Sequence, residues 1–143
     1  VVHGSGLDEA AVHGTTELAE LKEDGTIERS TLTPADLGAK RLYSIEEIKG
    51  GAPADNALIT EAILAGKGTE AQQAFVAANL ALLLKIGGLA KSLPEAVELA
   101  RRTMASGKGL EVLIVHMPHP IRHPHRKLPE PNPYNNQNRQ NAV

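Results

Sequence analysis

Two adjacent carboxylates, Asp8 and Glu9, are the residues whose types and spacing best suit a metal-binding role. They end the glycine-rich segment HGSGLDE, which covers residues 3–9. Glycines let a backbone come close to a ligand, and two side chains that diverge on a strand can converge in an irregular loop. Paired carboxylate oxygens suit a hard cation such as Mg²⁺, which takes one or two carboxylates together with waters and phosphate oxygens. An Asp-Glu pair is also typical of a solvated loop, so these residues alone leave both interpretations open.

Other residues offer less specific chemistry. Gly50-Gly51 with Asn56 could hold a phosphate at a helix N-terminus, but the same residues suit a helix stop and a new helix start, which we favour. His3 and His13 flank the carboxylates and are interpreted as ordinary loop or strand residues. Four histidines in ten residues could bind transition metals adventitiously, although the prolines among them prevent a fixed geometry; they are His116, His119, His123 and His125.

Composition excludes several classes of protein. The chain has 143 residues, which suits one domain, and its net charge of −2 gives no signal for nucleic acid or a membrane surface. It has no cysteine, so disulfides and thiolate sites are excluded. Hydrophobic residues make up 41%, enough for a core, whereas aromatics at 2% leave little material for base stacking. We therefore expect neither a nucleic-acid nor a membrane partner, and, with no signal-peptide pattern at the start, a cytoplasmic location.

The sequence divides near Met117. Residues 118–143 hold six of the nine prolines, together with many asparagines and few apolar residues. Such a composition buries too little apolar surface to offset chain entropy. We predict that residues 1–117 fold and that 118–143 form a disordered tail rich in Pro, Asn and His.

Local patterns within residues 1–117 predict an α/β fold: a β-hairpin region followed by about four helices. Residues 15–22 and 26–33 form the hairpin, because Asp24-Gly25 between them is a strong turn signal. The first helix begins at the capping box after Ser44, and the second runs from Pro53 to about residue 65. The third covers residues 70–86, and the fourth begins at the capping box after Ser92 and ends before Gly107. The run AFVAANLALLL in the third is too short for a membrane span and predicts a helix buried on most sides.

Five successive segments also carry a family resemblance, and they read VVHGSGLDE with TTELAEL, TLTPADLG, SIEEIKGGAPADNALITEAILAGKG, QQAFVAANLALLLKIGG and SLPEAVELARRTMASGKGLE. From Val1 to about Glu111 the chain resembles the C-terminal part of the anthranilate phosphoribosyltransferase family. The resemblance implies a portion of a nucleoside phosphorylase/phosphoribosyltransferase-like α/β domain. It also implies transfer of phosphoribosyl from phosphoribosyl pyrophosphate to anthranilate in tryptophan biosynthesis, by an enzyme that is a homodimer. The family's Mg²⁺ ligands correspond to Asp8 and Glu9.

The resemblance also implies what a fragment would lack. The family's phosphate loop, its substrate-positioning residues and its dimer-forming helical domain lie upstream of the matching part. We therefore expect a fragment that is inactive alone, with no catalytic residue or organic cofactor assigned within it. The alternatives are a fragment of a pyrimidine nucleoside phosphorylase and a non-catalytic module that binds a partner. After about Val115 the resemblance stops, as a reading-frame shift or a linker to another domain would produce.

Overall fold

The described part of the chain forms a small antiparallel sheet followed by five helices. The computed structural model describes residues 1–116, and in that part of the chain the strands are β1 (Val2–Gly4), β2 (Thr16–Leu21) and β3 (Ile27–Leu32). The helices are α1 (Ile45–Ile48), α2 (Pro53–Leu64), α3 (Glu70–Ile86), α4 (Leu93–Ala105) and α5 (Lys108–His116). The α/β class expected from the sequence is confirmed.

The hairpin forms where its turn signal predicts it. In the turn, Asp24 accepts a hydrogen bond from the Thr26 backbone N–H at 2.9 Å, and Gly25 has a φ of 83°. This places Thr16 opposite Leu32 at one end of the β2–β3 pair and Leu21 opposite Ile27 at the other. β1 pairs with the other edge of β2, giving the order β1-β2-β3. The pairing of β1 with β2 therefore fixes the position at which the loop after β1 begins.

Four of the helices begin and end close to the positions that the sequence predicts, and a fifth was not predicted. The expected number was about four, whereas α5 continues the chain directly after α4. It packs against α2, where Gly109 lies so close to the Leu64 side chain that an added Cβ would come within 2.9 Å of it. A nine-residue helix with a glycine at its second position has a weak local signal, so tertiary packing decides its formation. Residues 118–143, predicted as a disordered tail, lie outside the described residues.

Helix α3 is the centre of the helical layer. Thr69 and Gln72 form a reciprocal capping box at its start, with the Gln72 side chain accepting from the Thr69 N–H at 3.0 Å. Its buried face is mostly alanine and packs closely against α4 through Ala96 and Ala100, which are both fully buried. Five residues of the apolar run are buried and five are partly buried, whereas Leu83 is 67% exposed, so the helix is less buried than the sequence predicts. None of the helices in residues 1–116 has the length and apolar character that a membrane crossing requires.

An ion pair joins the loop before α1 to Glu47 in that helix. Arg41 donates to both carboxylate oxygens of Glu47, at 2.6 and 3.2 Å, and stacks its guanidinium 4.1 Å from the Tyr43 ring centroid. The Glu47 carboxylate also accepts from the Ser44 N–H at 2.8 Å, which completes one half of the predicted capping box. The guanidinium of Arg41, together with the backbone N–H and the hydroxyl of Ser44, lowers the pKa of Glu47 from 4.5 to about 2.

We expect Glu47→Gln to remove part of the acid sensitivity of the fold. Because the folded-state pKa is depressed, the contribution of this carboxylate to stability is present above pH 4.5 and is lost as the pH falls towards about 2. The melting temperature of the wild type should therefore fall more steeply over that window than that of the variant. Circular dichroism melts recorded between about pH 6 and about pH 2.5 check this, and parallel curves would contradict the assignment.

Candidate metal-binding loop

The loop after β1 turns sharply to present the two candidate carboxylates. Gly4 and Leu7 exchange backbone hydrogen bonds of 3.0 and 3.1 Å, which closes a tight turn. The turn residues Ser5 and Gly6 both have positive φ, 49° and 98°. Such a conformation is open to glycine and uncommon for other residues, which explains the glycine at position 6, whereas Ser5 adopts it despite its side chain. Asp8 and Glu9 directly follow this turn.

The segment that follows the carboxylates is buried and held by polar contacts from α3, β2 and the loop before α1. Ala10, Ala11 and Val12 are fully buried. The Asn79 side chain on α3 accepts from the Ala10 N–H at 2.8 Å and donates to the Ala10 carbonyl at 3.1 Å. The Thr16 hydroxyl, itself buried, accepts from the Ala11 N–H at 2.9 Å, and the Tyr43 N–H donates to the Val12 carbonyl at 3.1 Å.

Asp8 and Glu9 themselves are exposed on this anchored segment. Within residues 1–116 neither carboxylate has a hydrogen-bond or ion-pair partner, so four oxygen atoms are available to a ligand. In the same part of the chain no group of three or more His, Cys, Asp or Glu side chains could hold a metal ion. The donor set therefore fits a cation that takes two carboxylates and completes its shell with water or phosphate, as Mg²⁺ does, and does not fit a closed protein cage.

An apolar groove lies beside the loop. Its volume is about 380 Å³, and Glu9 and Asn79 form one part of its wall. Most of the remaining wall consists of apolar side chains of α2, α3 and α4, among them Ile63, Leu80 and Met104, and Thr103 and Gly109 complete it. One carboxylate of the pair thus borders a largely apolar surface.

The other candidate residues have structural roles in the described part of the chain. His13 hydrogen-bonds through Nε2 to the Ser5 carbonyl at 3.2 Å and braces the turn, while His3 is exposed on β1. The Asn56 amide makes two hydrogen bonds to Gly51, which supports the helix-start interpretation over the phosphate site. Of the histidines near the end of the chain, His116 ends α5, and the remaining ones lie outside the described residues.

Asn79 is the residue of this region whose role the sequence did not reveal. Its available signal was one amide side chain in the otherwise apolar run AFVAANLALLL. A polar side chain at such a position must find hydrogen-bond partners when it is buried. That its partner is the backbone beside Glu9, 69 residues earlier, follows only from the tertiary structure.

Comparison with known proteins gives a consistent family. The sequence profile described as "Glycosyl transferase family, a/b domain" matches residues 1–110. The anthranilate phosphoribosyltransferase of Tolumonas auensis is 55% identical over 111 residues, which cover 78% of this chain and 32% of that protein. That of Shewanella putrefaciens is 55% identical over 113 residues, with 79% and 32% covered.

A solved structure extends the comparison to the fold. The crystal structure of anthranilate phosphoribosyltransferase (TrpD) from Thermus thermophilus superimposes with a TM-score of 0.71 at 32% identity. The alignment covers 80% of this chain and 33% of that one. The chain thus spans about a third of the length of the relatives it matches. Since the family profile covers most of the chain, the chain belongs to the glycosyl transferase family, within its a/b domain.

Proposed function

We propose that residues 1 to about 111 are the C-terminal part of an anthranilate phosphoribosyltransferase, a cytoplasmic enzyme of tryptophan biosynthesis. The intact enzyme would transfer the phosphoribosyl group of phosphoribosyl pyrophosphate to the amine of anthranilate and would act as a homodimer. The observation that carries this proposal is the 55% identity to enzymes of that name over 111 and 113 residues. The relatives cited share this name, which favours it over a pyrimidine nucleoside phosphorylase.

Within that enzyme we assign Asp8 and Glu9 as the ligands of Mg²⁺. Support comes from the structure of the loop, in which both carboxylates are exposed and free of partners within residues 1–116 while the next three residues are fully buried. A bound Mg²⁺ would balance the negative charge of the leaving pyrophosphate. This chain's contribution is to hold two negative oxygen donors at a fixed place, so that little reorganisation is needed when a charged substrate arrives.

A chimeric enzyme tests the proposal. Residues 1–111 replace the matching third of the Tolumonas auensis enzyme. The remaining part of that enzyme would supply the phosphate loop, the substrate-positioning residues and the helical domain that this part of the family lacks. We expect the chimera to form phosphoribosylanthranilate, whereas the 143-residue chain alone should form none in the same assay. A chimera that folds by circular dichroism, dimerises and yet forms no product would contradict the assigned function. Product formed by the chain alone would contradict its being an inactive part.

A further inference from the structure

We infer that Asn79 is a positioning residue for the cation ligands: its side-chain amide fixes the backbone next to Glu9 and thereby sets the affinity of the loop for a divalent cation. This inference rests on the proposed function, since it takes Asp8 and Glu9 as the ligands. Asn79 itself would not touch the cation. It would act through the main chain of Ala10, which it contacts from α3.

The Asn79 side chain contacts both polar backbone groups of Ala10, its N–H and its carbonyl. Asn79 Oδ1 accepts from Ala10 N–H at 2.8 Å, and Asn79 Nδ2 donates to the Ala10 carbonyl at 3.1 Å. Nδ2 also donates to the Phe75 carbonyl, one turn earlier on α3, at 3.0 Å. This additional hydrogen bond holds the Asn79 amide against its own helix, so contacts within α3 already restrict the orientation of the side chain.

The atom that Asn79 holds lies next to the ligand. The Ala10 nitrogen belongs to the peptide unit that joins it to Glu9, so a hydrogen bond to this nitrogen restricts the backbone on the C-terminal side of the Glu9 Cα. Ala10 is fully buried, and without Asn79 its N–H and carbonyl would lose their partners. A buried backbone group without a partner is energetically costly, which favours a loop rearrangement that exposes it to water. Such a rearrangement would displace Glu9.

A purely structural role makes a different prediction. If Asn79 only stabilises the packing of β1 and its loop on α3, its removal lowers stability but leaves the affinity of the folded molecules unchanged. If it positions the ligands, the affinity of folded molecules falls as well. The two roles therefore separate when binding is measured under conditions in which each variant is fully folded.

The chain contains a matched control for the amide. Asn56 makes the same paired contact with one backbone residue: its Oδ1 accepts from Gly51 N–H at 2.8 Å, and its Nδ2 donates to the Gly51 carbonyl at 3.1 Å. This contact is exposed and joins the start of α2 to Gly51 in the loop before that helix, a different loop from that of the carboxylates. Asn56→Ala and Asn56→Asp thus remove an equivalent backbone contact without altering the support of Glu9.

The experiment titrates the full 143-residue chain with Mn²⁺, a paramagnetic probe for Mg²⁺ sites, and measures free Mn²⁺ by electron paramagnetic resonance. Every protein compared carries His116→Ala, His119→Ala, His123→Ala and His125→Ala, because these histidines could themselves bind a transition metal. Outer contacts of metal ligands typically contribute about 10-fold or more to affinity, so Asn79→Ala and Asn79→Asp should raise the Kd about 10-fold. Asn56→Ala and Asn56→Asp should leave the Kd within about 2-fold of the wild type. Circular dichroism under the same conditions confirms that each variant is folded.

A double substitution, Asp8→Asn with Glu9→Gln, distinguishes failure of the inference about Asn79 from failure of the ligand assignment. If this variant loses Mn²⁺ binding but the Asn79 variants bind like the wild type, Asn79 has no positioning role and the assignment of the ligands stands. If the wild type and the double variant bind Mn²⁺ alike, or the wild type binds none, both the ligand assignment and the inference about Asn79 are overturned. Equal weakening by the Asn79 and Asn56 variants also overturns the inference, because it would reflect a general loss of order.

Discussion

Asp8→Asn together with Glu9→Gln should lower the turnover of the chimeric enzyme about 100-fold, with a smaller effect on the fold. The loss follows from weaker binding of the cation that the two carboxylates hold: removal of one preorganised group at a site of developing charge typically lowers kcat by a factor of about 10² to 10³. Because both carboxylates act on the same cation, their losses do not multiply. The substitutions keep the size of both side chains and remove only their negative charge. Because both side chains are exposed and have no partner within residues 1–116, their replacement breaks no intramolecular contact there.

The control for this experiment is a second adjacent acidic pair. Glu23 and Asp24 are exposed in the hairpin turn, and Glu23→Gln with Asp24→Asn removes the same two charges. An asparagine at 24 still offers an oxygen to the Thr26 N–H, which Asp24 now contacts at 2.9 Å. Steady-state rates are measured over a series of Mg²⁺ concentrations. We expect the control to retain nearly full turnover and the test variant to need more Mg²⁺; equal losses in the two would show that net charge, and not the loop, matters.

The elements that could be predicted from the sequence are those with local causes. The hairpin follows from Asp24-Gly25, since these residues favour the backbone that the turn requires. The starts of α3 and α4 follow from Thr69 and Ser92, whose hydroxyls accept hydrogen bonds from the N–H groups of Gln72 and Glu95. Each signal involves residues at most three positions apart. Such interactions are the same in any tertiary context, so a single sequence is enough to read them.

The support of the candidate site could not be predicted because its causes are distant in the sequence. Asn79 and Ala10 are 69 residues apart, and nothing local distinguishes Ala10 from other alanines of the chain. Thr16 is fully buried although it begins a strand whose other residues are partly or largely exposed. Its burial makes sense only once its hydroxyl is seen to accept from the Ala11 N–H. The sequence therefore indicated which residues could bind a cation, and the fold explains what holds them.

Gly4→Ala should destabilise the fold by about 3 kcal/mol, at the upper end of the range for overpacking. An added Cβ at Gly4 would overlap the Glu9 carbonyl oxygen and lie 2.6 Å from the Ala11 nitrogen and 2.9 Å from its Cβ. Two of these three atoms are backbone, and Ala10 and Ala11 are fully buried, so no flexible side chain can move aside. Urea denaturation followed by circular dichroism measures the change as a lower midpoint at unchanged slope.

Gly25→Ala provides the comparison that identifies the cause. Gly25 has a φ of 83° and nothing within 4 Å of an added Cβ, so its substitution tests backbone strain without a clash. We expect a cost of about 1–2 kcal/mol there, from the left-handed conformation alone. If Gly4→Ala is no worse than Gly25→Ala, close packing of β1 on the Glu9–Ala11 backbone does not limit the stability of the fold, which would contradict this prediction. A larger loss at Gly4, accompanied by weaker Mn²⁺ binding in molecules that remain folded, would show that this close contact and the Asn79 amide both hold the buried segment that positions the carboxylates.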